Sequence, residues 1–344
     1  MDLRPAIRWN PPPEWRRLTV IDSHAGGEPF RVVVEGLPGI PGNTVLDRRA
    51  YAMEHLDHLR RILMWEPRGH ADMYGGWLGP PVHPESDLSV LFTHNEGFST
   101  MCGHGIIALA KVVLDTGMVA AQVPETTLRI DTPAGTVTAI SAIADGFVVS
   151  TRFRNVPSFV VELGASITVP GLGEVTYDLA FGGAFYAYVD AATLELEVHD
   201  TMALIPAGRM IKEAISAERQ IAHPNEPGLG FLYGVIFTAP PRSEGSHGRN
   251  VCVFADGEVD RSPTGTGVSG RLAILHHRGE VGQGEPVTIE SIVDSRFTGR
   301  VVATTKVGEF TAVIPEIEGT AHIIGRSELW LDPTDDLGRG FLIR

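Results

Sequence analysis

The chain carries one short pattern twice at identical spacing, and that repeat restricts its possible folds more than composition does. Cys102-Gly103-His104-Gly105 opens the stretch IIALAKVVLDTG, which ends at Gly117, and Thr264-Gly265-Thr266-Gly267 opens VSGRLAILHHRG, which ends at Gly279. In both copies Ile, Val, Leu and Ala recur every three or four residues. That period predicts a helix with a buried stripe, and the closing glycine supplies a left-handed C-terminal cap. A β-branched strand and a turn precede each helix, DLSVLFTH-NEGF and NVCVFADGEV. Further strand pairs follow, TLRIDTPAGTVTAI and PVTIESIVDSRFTGRVVATT. The unit strand, turn, helix, strands therefore occurs twice, and such a duplication directs attention to a site between the copies.

At about 150 residues per domain, 344 residues predict two domains. We expect an N-terminal domain over 16–160 that carries Cys102, and a C-terminal domain over 161–344 that carries Thr264. The boundary is expected between 154 and 173, where Pro157, Pro170 and several glycines interrupt the periodicity. Other strands are expected in LTVIDSHA, FRVVVEGL, Glu174 to Ala180 and FYAYVD, with a helix from Leu204 to Gln220. The last strands, Ala321 to Arg326 and Phe341 to Arg344, are able to join either domain. The fold class is α+β, rich in antiparallel strands.

A 43% hydrophobic, 20% charged composition is that of a globular protein. The net charge of -14, with no Lys/Arg-rich run, offers no footprint for nucleic acid or an anionic membrane surface. The N-terminus, MDLRPAIRWNPPPEW, lacks the apolar run of a signal peptide, and no later stretch is apolar enough to span a bilayer. Two cysteines are too few for a disulfide framework. A cytoplasmic protein is expected.

A helix N-terminus carries unpaired N–H groups and partial positive charge, so Cys102 at that position is expected to have its thiolate stabilised and its pKa lowered. The N–H groups of Gly103 and His104, with those of Gly265 and Thr266, are suited to clamp a carboxylate. They would stabilise the enediolate that forms when an α-proton is removed. The simpler alternative is a pair of glycine-rich turns capping buried helices, and the matched spacing weighs against it. Cys102, His104 and His94 lack the spacing of a structural zinc site, so no metal is expected. Cys252, inside the strand NVCVF, reads as a small buried thiol without a catalytic role. His24, Glu28, His70 and Tyr233 read equally well as cleft residues or as braces for turns. Phe181 and Tyr186 are able to pack on a ring-shaped ligand or in the core.

MCGHGIIAL and DRSPTGTG resemble the two active-site motifs of the proline racemase superfamily. IDSHAGGEPFRVV (21–33), EPRGHADMYGGWL (66–78), FGGAFYAYVD (181–190) and DRSPTGTGVSG (260–270) resemble its other conserved blocks, in order. The resemblance implies two similar domains of diaminopimelate-epimerase-like fold, each a barrel-like sheet around a central helix, with the active site in the cleft between them. It also implies a homodimer and no cofactor. Racemases and epimerases of this superfamily oppose two cysteines across the α-carbon, but here the second position is Thr264. A hydroxyl is far less acidic than a thiol and cannot act as its matched acid/base partner. Members with the cysteine/threonine pair resemble enzymes that dehydrate trans-3-hydroxy-L-proline. The expected catalytic residues are therefore Cys102 and Thr264. The expected substrate-binding residues are Gly103, His104, Gly265, Thr266 and Asp260, the last accepting from the prolyl ammonium. Two alternatives stay open: a 4-hydroxyproline epimerase or proline racemase, and a non-catalytic amino-acid-binding protein.

Overall fold

The computed structural model describes residues 2–343. A short helix, α1 (Arg4–Arg8), precedes the first half of the fold, which is built from β1 (Arg16–Ala25), β2 (Glu28–Glu35), α2 (Val45–His55), α3 (Asp57–Met64), β3 (Tyr74–Gly79), β4 (Leu88–His94), β5 (Phe98–Ser99), α4 (Gly103–Asp115), β6 (Glu125–Thr132), β7 (Gly135–Ala144) and β8 (Phe147–Arg154). The second half is β9 (Ser158–Val169), β10 (Gly173–Phe181), β11 (Phe185–Asp190), α5 (Thr201–Glu218), β12 (Leu232–Ala239), β13 (Gly248–Phe254), β14 (Glu258–Val259), α6 (Gly265–His277), β15 (Val287–Glu290), β16 (Arg296–Val307), β17 (Phe310–Gly319) and β18 (Ala321–Leu331).

The pairings repeat the duplication seen in the sequence. In the second half the strands close a ring in the order β9, β10, β11, β12, β13, β15, β16, β17, with β17 returning to β9. In the first half the order is β18, β1, β2, β3, β4, β6, β7, β8. Each series has two parallel steps at equivalent places: β2–β3 and β4–β6 in one, β11–β12 and β13–β15 in the other. Parallel neighbours need a long crossover, usually helical. The pair α2–α3 supplies it for β2–β3, and α5 supplies it for β11–β12. The remaining two crossovers are α4 and α6, the helices that open at Cys102 and Thr264.

α4 is buried along almost its whole length and α6 from Gly265 to Ile274 except at Arg271, because their apolar residues face the surrounding strands. Gly117 and Gly279 follow the helix ends with φ of 75° and 73°, the left-handed conformation expected of their caps. Buried residues around α4 and α6 belong to one continuous core. A second, smaller core packs α2 and α3 against Trp77 and Leu91.

The fold departs from the sequence reading in three places. Residues 45–64 form α2 and α3, two helices absent from the sequence expectation, although Thr44 and Asp47 form a reciprocal capping box that marks the start of α2. The supposed interruption between 154 and 173 contains the twelve-residue strand β9. Its turn-forming Gly164 sits inside the strand at φ 63°, so the irregularity is local. The strand expected at 341–344 is a single bridge between Phe341 and Glu66, and Arg344 lies outside the described residues. β18 pairs with β1 in antiparallel register from Arg16↔Leu331 to Ala25↔Ala321, so the C-terminal strand joins the first ring.

Candidate active site

The crossover helices α4 and α6 point their N-termini at each other. A methyl group on Gly103 would stand 2.5 Å from the Cα of Gly265, and one on Gly265 would stand 2.7 Å from the Cα of Gly103. Both distances are far inside van der Waals contact, so any side chain at either position would force the two backbones apart. The glycines thus do more than bare their N–H groups to a ligand: they let two helices abut.

A small cavity lies where the helix ends meet. All seven residues expected from the sequence line it: Cys102, Gly103, His104, Asp260, Thr264, Gly265 and Thr266. The first-turn N–H groups of a helix have no intrahelical partner, so each helix presents donors here. Among the described residues no helix is long and apolar enough to cross a membrane.

Cys102 is the N-cap of α4, and its Sγ accepts a hydrogen bond from the Gly105 N–H at 3.1 Å. The imidazole of His104 lies 3.3 Å from the same sulfur and 3.9 Å from the Asp260 carboxylate. Contrary to the sequence reading, the thiol is pushed well above its ordinary pKa. Burial is the largest cause; the Gly105 N–H works the other way, while the negative charges of Asp260 and Glu28 add to the rise. The helix N-terminus was correctly inferred, but 4% exposure outweighs it. Burial likewise depresses His104, which is a neutral imidazole near neutral pH.

Thr264 occupies the equivalent cap of α6 at φ 64° and ψ 93°. A β-branched residue with positive φ is strained by about 1–3 kcal/mol. The strain is held by two hydrogen bonds: the Thr264 N–H donates to Ser262 Oγ at 3.1 Å, and the Thr264 carbonyl accepts from the Val268 N–H at 2.7 Å. Ser262 N–H in turn donates to Asp260 Oδ1 at 2.7 Å, so the DRSPT segment braces itself. The Thr264 hydroxyl is buried without a well-formed hydrogen bond, and it stands close enough to the Cys252 thiol to favour its thiolate.

Six further residues line the cavity: Tyr74, Met101, Tyr186, Tyr233, Cys252 and Phe254. Tyr186 belongs to the site, its hydroxyl 2.8 Å from Thr266 Oγ1, whereas Phe181 packs with Phe159, Phe185 and His223 in the core. Cys252 is buried, as expected, yet it also faces the site. Tyr233 is a site residue, and His70 only meets the carbonyl of Ala71 near the surface. His24 braces its turn by accepting from the Gly27 N–H at 3.3 Å. Glu28, from the same turn, reaches across to the second motif, where its carboxylate accepts from the Arg261 N–H at 2.6 Å. Complete burial, then the charge of Asp260, holds Glu28 well above the usual carboxyl range. Tyr74 was missed altogether. β3 is glycine-rich and buried from Tyr74 to Trp77, so its pattern gives no sign that the Tyr74 hydroxyl meets a cavity.

Paired half-barrels with two abutting helix ends at a thiol define a recognisable class. Residues 20–342 match the proline racemase family model, and the chain belongs to that family. It is 48% identical to a trans-3-hydroxy-L-proline dehydratase of Burkholderia cenocepacia, over 96% of this chain and 99% of that protein. A 3-hydroxyproline 2-epimerase of Burkholderia multivorans is 47% identical over the same shares. Among solved structures, a hydroxyproline epimerase from Agrobacterium vitis with bound trans-4-hydroxy-L-proline superposes with a TM-score of 0.91 at 35% identity, covering 96% of each chain.

Proposed function

We propose that this chain is a cofactor-independent hydro-lyase that converts trans-3-hydroxy-L-proline to Δ1-pyrroline-2-carboxylate. One observation carries the reading: a thiol caps one helix and a β-branched alcohol caps its counterpart across a single cavity. The dehydratase relative at 48% identity over nearly the whole chain supports it.

In this reading the N–H groups of Gly103, His104, Gly265 and Thr266 hold the substrate carboxylate, and Asp260 accepts from its ammonium. The arriving positive charge offsets Asp260, which otherwise opposes ionisation of Cys102. The Cys102 thiolate removes the α-proton, and the clamped carboxylate takes up the developing charge as an enediolate. Reprotonation from the opposite face would need an acid that Thr264 does not provide, so the electron pair expels the 3-hydroxyl instead. The resulting enamine tautomerises to the cyclic imine. We read the enzyme as cytoplasmic and homodimeric, with hydroxyproline as its partner and neither nucleic acid nor membrane.

The 3-hydroxyproline 2-epimerase relative, 47% identical, favours epimerisation as the second reading. Assaying the purified chain against trans-3-hydroxy-L-proline and trans-4-hydroxy-L-proline separates the two. Faster formation of the pyrroline supports dehydration; faster inversion of trans-3-hydroxy-L-proline at C2 or of trans-4-hydroxy-L-proline, or absence of all three activities, refutes it.

A further inference from the structure

We infer that the Tyr74 hydroxyl is a further catalytic group, the acid that delivers a proton to the departing 3-hydroxyl and recovers one from Cys102. The inference rests on the dehydration proposed above, which leaves open how a poor leaving group, hydroxide, departs.

Tyr74 lies on β3, is 3% exposed and lines the same cavity as Cys102. Its ring is fixed between His94, stacked at 5.6 Å, and His104, edge-on at 4.9 Å. Its hydroxyl pairs with Ser99 Oγ and stands 3.2 Å from the Tyr233 hydroxyl. It is also near enough to the Cys102 sulfur to favour its thiolate. Tyr74 and Ser99 come from the first half of the fold, as Cys102 does. In trans-3-hydroxy-L-proline the 3-hydroxyl shares a ring face with the α-hydrogen, so it leaves on the Cys102 side of the cleft.

Burial, then the neighbouring Cys102, raises the phenol well above its ordinary pKa, so it carries its proton at neutral pH. The α-proton moves to the Cys102 sulfur, the Cα electron pair forms the C2–C3 double bond, and the C3–O bond breaks. The Tyr74 proton joins the leaving oxygen as water. Ser99 and Tyr233 hydroxyls stabilise the phenolate, which then takes the proton from the Cys102 thiol. Both groups return to their starting state, with the former α-proton now on Tyr74 in place of the one lost to water.

The test compares Tyr74→Phe with wild type on trans-3-hydroxy-L-proline and on trans-3-fluoro-L-proline, since fluoride departs without a proton. Loss of a general acid costs about 100-fold or more. The variant should lose that much dehydration rate yet release fluoride within a few-fold of wild type, which also reports an intact fold and base. On α-deuterated trans-3-hydroxy-L-proline its isotope effect should fall toward unity, because C–O cleavage becomes slow. Unimpaired dehydration, or an equal loss on both substrates with the isotope effect retained, overturns the role. Cys102→Ser should lose both reactions; if it retains either, the assignment of Cys102 as the base fails, independently of Tyr74.

Discussion

The Cα of Gly265 lies 2.5 Å from where a Cβ on Gly103 would sit, so α4 and α6 meet backbone to backbone at their N-termini. This contact brings Cys102 and Thr264, each one residue earlier, to the two sides of one cavity.

Gly103→Ala and Gly265→Ala should therefore force the helix ends apart. Overpacking of this kind costs about 1–3 kcal/mol. Chemical denaturation should show that loss, and pyrroline formation should fall more steeply than stability because the carboxylate donors separate.

The acidity of Cys102 should respond to Asp260. The carboxylate opposes the thiolate, so Asp260→Asn should lower the thiol pKa and shift the pH dependence of iodoacetamide alkylation to lower pH. Turnover should fall in the same variant, as the ammonium loses its acceptor. In the wild type, alkylation should be slow at neutral pH, since Cys102 is buried and its pKa raised.

Thr264→Cys should place a second thiol opposite the first and introduce racemisation of L-proline. Chiral chromatography of the amino acid after incubation checks this; no D-proline from a folded variant would argue against the two-sided cleft.

Glu290 should contribute to acid sensitivity. It is buried, opposing its ionisation, yet the Arg242 N–H at 2.7 Å and the Ser243 N–H at 2.9 Å hold its pKa down at about 2. A depressed carboxyl stabilises the fold above its unfolded pKa of about 4.3, and that stabilisation disappears as pH falls toward the folded value. Glu290→Gln should melt below wild type at pH 7, with the gap narrowing as pH drops from about 4.5 to about 2.

Much of this arrangement could be read in the sequence because it is local or repeated. Helix periodicity, the capping glycines 117 and 279, and the matched Cys102 and Thr264 positions are short-range signals. All seven cavity residues inferred from the motifs occur within two short segments. Tyr74 and Cys252 were not legible as site residues, since their places depend on which strands pair across the barrels. The ionisation of Cys102 was misread for a related reason: a helix N-terminus is visible in sequence, whereas the desolvation that opposes it is created by the distant residues that close over it.

The most direct measurement is NMR detection of Δ1-pyrroline-2-carboxylate from trans-3-hydroxy-L-proline with wild type and with Cys102→Ser. Product is expected from the wild type, at a rate exceeding its epimerisation of trans-4-hydroxy-L-proline, and none from the variant. Undiminished product from Cys102→Ser, or inversion outpacing dehydration in the wild type, would contradict a one-thiol elimination.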